Sequence, residues 1–202
     1  MSLNNYNALQ TSIATWLARN DLTASIPDFI RLCESRLNNN ADFRVRQQVC
    51  KLVATVSGTE LALPTDYLGM RELRYSTGKT IAQVSPQALG ELKQAICYAP
   101  DTTVYCDLGQ RLEIYPEVDE VDMEIFYYQE IPALSDTNLS NWLLALAPDI
   151  YLYGSLLEAT QFMKNDERVG LWSQRYAESV AGLAGADEAS RWSGPMTIQV
   201  AS

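Results

Sequence analysis

Histidine is absent from the 202 residues of this sequence. Its absence excludes Ser-His-Asp and Cys-His catalytic groups, together with every zinc site that needs an imidazole ligand. It also removes the commonest general base near neutral pH. Phosphate-binding glycine loops and the G-x-S-x-G nucleophile elbow are missing too. The sequence therefore gives little support to an enzyme.

Basic residues are scarce in this chain. Lys and Arg number 15 against 25 Asp and Glu, which gives a formal net charge of -10. Nucleic-acid-binding proteins usually carry the opposite balance, because basic side chains neutralise the phosphates. We therefore expect a soluble surface that repels a passing polyanion.

Long apolar runs and closely paired cysteines are missing as well. No stretch approaches the ~18 apolar residues of a membrane span, and the longest apolar run covers residues 142–147. The first residues lack the basic and apolar blocks of a secretion signal. The cysteines Cys33, Cys50, Cys97 and Cys106 form no C-x-x-C pair, so we expect reduced, mostly buried thiols. A Cys97–Cys106 bridge across a hairpin is the alternative.

Two amphipathic helices are predicted in residues 1–43. Apolar residues recur at helical spacing from Tyr6 to Leu17. A second helix begins at Ser25, which has a capping-box-like spacing to Asp28, and ends in the asparagine run 38–40. Because each helix has one apolar face, each needs a partner surface.

Residues 44–131 predict an inserted β unit. Alternating residues indicate strands bounded by turn signals at Ser57-Gly58, Thr77-Gly78 and Leu108-Gly109. We expect Pro116 to end one strand and residues 121–127 to form the last one. Ser85-Pro86 predicts the start of one short helix. The short spacing favours a mostly antiparallel sheet without βαβ crossovers.

Residues 132–192 predict long helices that complete the fold. One begins at Pro148-Asp149 and the last runs from Asn165 to Arg191. We expect residues 193–202 to form an extended, strand-like tail, because Gly194-Pro195 stops the helix. The predicted class is α+β: the N- and C-terminal helices form one bundle, from which the inserted β unit projects.

The most acidic stretch of the sequence is the candidate catalytic site. It contains Glu117, Asp119, Glu120 and Asp122. Carboxylate pairs can bind Mg²⁺ or act as general acids and bases. Because these residues fall on a predicted turn, we interpret them as solvated surface charges, with a metal-dependent enzyme as the alternative. The abundant Tyr and Trp are interpreted as core residues first and as protein-interface residues second.

A family resemblance rests on the segment that begins at Tyr127. It reads YYQEIPALSDTNLSNWLLALAPDIYLYGSLLEA, and it resembles the signature of the head–tail adaptor proteins of tailed phages, the phage SU10-type adaptor family. Three further stretches are similar to that family: ATWLARNDLTASIPDFIRLCESRLN, VSGTELALPTDYLGMREL and LWSQRYAESVAGLAGADEASRWSG. The resemblance covers the chain except for its last eight residues or so.

The resemblance implies a structural virion protein without catalytic activity or cofactor. Such adaptors form a ring, usually a dodecamer, between the portal protein and the downstream tail or nozzle protein. The helical parts face neighbouring subunits and the portal, while genome DNA passes through the central channel without specific binding. The implied location is the virion neck, after assembly in the host cytoplasm and without a membrane. A metal-dependent enzyme using residues 117–122 and a free-standing cytosolic binding module remain the alternatives.

Two groups of site residues follow from these patterns. The predicted portal or neighbour interface consists of Arg191, Trp192, Met196, Ile198 and Val200, because an isolated strand gains main-chain hydrogen bonds on another sheet edge. In the alternative, this tail folds back on its own subunit or stays loose.

The second group lies at the predicted domain junction. We expect Pro132, Asp136 and Trp142 to hold the β unit against the bundle, with Trp142 largely buried.

Overall fold

The computed structural model describes residues 3–19, 21–41, 43–94, 103–162 and 167–191, with side chains described as far as residue 188. It divides into two compact units. The helical unit comprises residues 1–47 and 131–202, and the β unit comprises residues 48–130. The predicted mixed α+β class is confirmed.

The described residues form six α-helices and five β-strands. The helices are α1 (Tyr6–Leu17), α2 (Ile26–Asn39), α3 (Pro86–Gln94), α4 (Trp142–Leu146), α5 (Pro148–Ala159) and α6 (Val169–Arg191). The strands are β1 (Val49–Ala62), β2 (Tyr67–Tyr75), β3 (Thr80–Gln83), β4 (Val104–Asp107) and β5 (Arg111–Gln129). Within this part of the chain, no helix has both the length and the apolar character needed to cross a membrane.

The two N-terminal helices begin and end close to their predicted positions. Asn5 caps α1, because its side-chain oxygen accepts the Ala8 amide at 2.8 Å. The α2 helix starts directly after Ser25, but the Ser25 side chain makes no capping hydrogen bond. The apolar stripe of α1 is buried except for Trp16, which is 43% exposed.

The α5 helix lies at the centre of the helical unit and contacts α1, α2, α4 and α6. Its burial extends around much of its circumference, as expected for a central helix. Gly154 marks the tightest approach: a Cβ atom there would lie 2.3 Å from Cys33 Sγ and 3.0 Å from the Tyr176 ring. The close neighbours are thus side chains of α2 and α6.

The α6 helix is 23 residues long, which corresponds to about 34 Å. Trp172 is its fully buried apolar anchor, and Tyr176, Val180 and Leu183 pack beside the same core. Most of the remaining described side chains of α6 are exposed. The predicted start of this helix at Asn165 lies outside the described residues.

The β unit is one sheet that closes on itself. Its strand order is β1-β5-β2-β3-β4, and β4 also pairs with β5. The long strand β5 pairs with β1 along one edge and with β4 and β2 along the other. The inward-facing residues form a separate core around Leu73, Met123 and Ile125.

Two predicted turns are wrong. Ser57-Gly58 does not reverse the chain, because β1 continues through it, and Pro116 does not end its strand, because β5 continues to Gln129. Gly58, at φ 97°, pairs with Val118 where the register of β1 and β5 shifts. Gly58 and Pro116 therefore lie in a bulged part of one long strand pair, where Gly58 adopts the left-handed backbone conformation.

The expected absence of βαβ crossovers is also wrong at one place. β3 and β4 are parallel, and α3 lies between them in the chain. Strands of four residues carry too little alternation to reveal their direction in the sequence. The start of α3 is as predicted, since Ser85 Oγ accepts the Ala88 amide at 3.2 Å.

The described cysteines are free thiols. Cys33 and Cys106 are buried and Cys50 is partly buried. Burial raises the pKa of all three, so they stay protonated near neutral pH. Cys97 lies outside the described residues, and the free Cys106 gives the alternative Cys97–Cys106 bridge no support.

Candidate functional site

The segment 131–141 connects the last strand to the helical core without regular structure of its own. Two side chains of α2 hold its backbone. The Ile131 amide donates to Asn38 Oδ1 at 3.0 Å, and the Leu134 amide donates to Glu34 Oε1 at 2.9 Å. Side-chain oxygens of α2 thus accept hydrogen bonds from backbone amides that are not part of a helix or a sheet.

Glu34 is the centre of a buried polar network. It is 4% exposed and also accepts the Tyr151 hydroxyl at 2.9 Å. Burial raises the pKa of Glu34, and the hydrogen bonds from Leu134 and Tyr151 partly oppose that rise. Burial, followed by the nearby Glu34 charge, raises the pKa of Tyr151 far above its ordinary value. The tyrosine therefore stays a neutral donor at physiological pH.

Asn141 completes this network. Its amide nitrogen donates to the Tyr151 hydroxyl and to the Pro132 carbonyl, each at 2.7 Å. Its side-chain oxygen accepts the Leu144 amide at 2.8 Å, which caps α4. The Asn141 side chain thus makes hydrogen bonds to the start of α4, to the buried Tyr151 hydroxyl and to the Pro132 carbonyl.

The predicted junction residues lie around this network rather than within it. Pro132 contributes only its carbonyl, and its ring is exposed, as is Asp136. Trp142 is partly buried and packs beside the helical core, whereas its neighbours Leu143 and Leu144 are fully enclosed. The expectation that Trp142 is largely buried is met only in part, and the role of these three residues in holding the β unit remains a prediction.

Sequence reasoning missed Glu34, Asn38, Asn141 and Tyr151. A signal for Glu34 was present, because Glu34 stands four residues after Ile30 within the apolar stripe of α2. A charged residue on a buried face requires partners. The partners themselves lie about a hundred residues away in the chain, where no local pattern points to them.

Two further carboxylates are buried in the helical unit. Glu158 on α5 is 6% exposed and forms an ion pair with Arg36 on α2. Asp187 on α6 is 5% exposed and accepts the Arg46 amide at 2.9 Å. Breaking either contact would leave a buried charge with one partner fewer. The first contact joins α2 to α5, and the second joins α6 to the backbone that follows α2.

The predicted acidic site does not gather into a cluster. Glu117, Asp119, Glu120 and Asp122 are exposed and lie within β5, not on a turn. Asp122 accepts the Thr55 hydroxyl at 2.6 Å on the neighbouring strand. The described part of the chain holds no group of three or more His, Cys, Asp or Glu that could bind a metal ion. The metal-dependent alternative gains no ligand set here.

Exposed apolar side chains are the main feature of the helical surface. They are Trp16, Leu32, Leu139, Leu146, Phe162 and Leu171, each at least 43% exposed. Arginines bind the backbone beside two of them: Arg168 donates to the Trp16 carbonyl at 2.9 Å, and Arg19 donates to the Phe162 carbonyl at 2.9 Å. Exposed aromatic residues flanked by arginines are typical of protein-binding surfaces.

The outer face of the β unit carries an ordered charge group. Glu124 accepts Lys51 at 2.5 Å and Arg74 at 2.7 Å, and these contacts lower the pKa of its carboxyl. The Arg74 guanidinium also lies 4.5 Å from the centre of the Phe126 ring. The charges of this face are therefore paired with each other.

The predicted interface residues at the C-terminus lie almost entirely beyond the described side chains. Arg191 is the last residue of α6. Trp192, Met196, Ile198 and Val200 lie outside the described residues, so their assignment stays a prediction.

Comparison with known proteins identifies a family. The family model described as SU10 adaptor protein matches residues 4–199. The search of curated proteins finds no match. Since the family model matches nearly the whole chain, the chain belongs to this family of phage adaptors. The resemblance inferred from the sequence is confirmed, and the chain is a structural phage protein and a virion component.

Proposed function

We propose that this member of the SU10 adaptor family forms a closed ring between the portal and the tail, and that the ring lines the genome channel. The match over residues 4–199 carries this proposal, because it includes both units and all of α6. A ring with the symmetry of a portal is dodecameric, and we propose that number here.

The helical unit supplies the contacts to neighbouring subunits and to the portal. Its exposed Trp16, Phe162 and Leu171 support this role, because large aromatic and apolar side chains are enriched at protein interfaces. We propose that α1, α2, α5 and α6 form the bundle expected from the sequence. The segment that starts at Arg191 and contains Trp192 reaches the portal or a neighbour.

The β unit faces the downstream tail or nozzle protein in this proposal. Its outer face offers the paired charges of Lys51, Glu124 and Arg74 beside the Phe126 ring. Ion pairs that remain hydrogen-bonded need little rearrangement when a protein partner covers them.

The channel wall is acidic in this proposal. A net charge of -10 supports it, because a wall that repels phosphate lets DNA slide without being held. Assembly takes place in the host cytoplasm before the ring joins the virion neck.

Electron microscopy of the protein mixed with its candidate portal tests the proposal. We expect a ring of subunits seated on the portal, and subunits that stay separate in the presence of portal would refute it. Leu171→Ser should reduce ring formation, while Leu108→Ser, which alters a similarly exposed residue of the β unit, serves as the control. Strong, salt-sensitive DNA binding by the isolated protein would refute the repelling channel wall.

A further inference from the structure

The strand β1 has one unpaired edge. Residues 49–56 pair with residues 121–128 of β5 in unbroken antiparallel register. On the opposite side of β1, the described residues provide no further strand and no backbone hydrogen bond. Eight residues, or about 26 Å of extended chain, therefore have backbone donors and acceptors on this side that no described residue pairs.

This edge lacks the usual protection against pairing. Its sequence, VCKLVATV, contains no proline and no glycine, and its single charge is that of Lys51. The Lys51 ammonium is bound to Glu124 on the outer face. Natural proteins usually protect a long edge strand with charges, proline or bulges, because it is a template for another strand. With only this one paired lysine along it, the edge is open to pairing with another strand.

The side chains along the edge are also incompletely covered. Val53 on the outer face is 55% exposed. On the inner face, Leu52 and Ala54 are only partly buried, whereas Met123 and Ile125 on the adjacent β5 are fully buried. A further strand beside β1 would close the core at this point.

We propose that residues 196–200 of a neighbouring copy add a strand to the free edge of β1 in the ring. This inference rests on the proposed ring. A closed ring joins two different surfaces of each subunit, whereas two identical edges meet around a two-fold axis and give pairs. Among the described strands β1 offers the longest free edge, and residues 67–72 of β2 offer a shorter one. In this proposal the incoming strand comes from elsewhere in the chain.

The sequence of the tail fits this edge. Met196, Ile198 and Val200 alternate with Thr197 and Gln199, so an extended segment has one apolar and one polar face. The apolar face continues the inner surface of β1, and the polar face continues the outer surface. Five residues span about 17 Å, which fits within the free edge. Strand addition gains main-chain hydrogen bonds, while the alternating side chains give specificity.

Proline substitutions test the edge. Neighbouring residues of an antiparallel strand direct their amides to opposite sides, so Val53→Pro and Ala54→Pro form a matched pair. One of them removes an amide that bonds to β5 and lowers the melting temperature of the subunit. The other removes an amide at the free edge, and we expect it to leave the melting temperature unchanged and to abolish ring formation on the portal. A ring that forms normally with this second variant overturns the proposal.

Cross-linking between two versions of the chain identifies the occupant. One version carries Val53→Cys, Lys51→Cys or Thr55→Cys and lacks residues 193–202, and the other carries Thr197→Cys. We expect a disulfide between the two versions in the assembled ring at one of the three positions, since a disulfide needs Cα atoms within about 7 Å. Chains that lack the new cysteines control for the native thiols. A tail cysteine that cross-links only to the portal, or only within its own chain, overturns the proposal.

The two proposals fail in different ways. If the unmodified protein forms no ring on the portal, the proposed function is wrong. If the unmodified protein forms a ring and the chain without residues 193–202 forms the same ring with undiminished yield, the ring stands and the strand exchange is wrong.

Discussion

Gly154→Ala tests the packing between α2, α5 and α6. The added Cβ would lie 2.3 Å from Cys33 Sγ and 3.0 Å from the Tyr176 ring, both well inside normal contact distance. Overpacking of this kind costs roughly 2–3 kcal/mol, whereas replacing a helical glycine by alanine stabilises by roughly 1 kcal/mol. We therefore expect Gly154→Ala to lower the free energy of unfolding by about 1–2 kcal/mol.

The sign of the effect should change when the sulfur is removed. In a Cys33→Ala background the closest atom is absent, so the added methyl group fills space that the sulfur left. Gly154→Ala should then be neutral or stabilising, with a coupling energy of about 1–3 kcal/mol between the two positions. Gly182→Ala is the control, because a Cβ at Gly182 meets no atom within 4 Å. That substitution should stabilise by up to ~1 kcal/mol.

Urea unfolding followed by tryptophan fluorescence measures these changes. All four tryptophans of the sequence fall within residues 1–47 and 131–202, so their emission reports on the helical unit. Stability that is unchanged or increased by Gly154→Ala in the unmodified background would refute the packing argument. A coupling energy near zero would refute the assignment of the clash to Cys33.

Four further perturbations have defined outcomes. Trp142→Ala should lower the free energy of unfolding by less than Trp172→Ala does. For Trp172, which is fully buried, the expected loss is about 3–5 kcal/mol. Equal losses in thermal unfolding would contradict the partial burial of Trp142. Tyr151→Phe should lower the free energy of unfolding by about 1–3 kcal/mol, because Glu34 and Asn141 each lose a buried hydrogen-bond partner. A midpoint of chemical unfolding that does not change would rule this out. Because folding raises the pKa of Glu34, protonation of this carboxyl favours the folded state. This stabilisation is fully present below the ordinary pKa of 4.5, and it is lost as the pH rises through the pKa of the folded state. Glu34→Gln should remove this pH dependence, and an unchanged stability profile between acid and neutral pH would contradict it. Asp122→Asn should change the free energy of unfolding by no more than about 0.5 kcal/mol, as expected for an exposed charge. If particles with this variant assemble normally but lose infectivity, the enzymatic alternative is restored.

The helices were predictable because their signals are local. Apolar spacing and the asparagine run placed α2 to within about one residue, and Ser85-Pro86 marked the start of α3. Glycine and proline, as at Gly58 and Pro116, are found both where a strand ends and where a bulge interrupts it. The choice between a hairpin and a bulge depends on the opposite strand, which sequence spacing does not reveal.

The polar network was unpredictable for a related reason. Glu34 meets Tyr151 and the Leu134 amide only after α2 packs against α5 and the segment 131–141. Glu34 is separated from Leu134 by 100 residues and from Tyr151 by 117, and the inserted β unit lies between them. The family signature contains Tyr151 and Asn141, but a string of letters does not state that they share one hydrogen-bond network.

The pairing of Val49 with Tyr128 has an architectural consequence. The chain enters the β unit and leaves it at directly opposed positions on adjacent strands, whose Cα atoms are about 5 Å apart. A short turn could therefore close residues 47 and 131 into a loop, and the helical unit would keep its sequence and its own core. The β unit is thus inserted at a single point of the helical unit, and its two ends lie side by side.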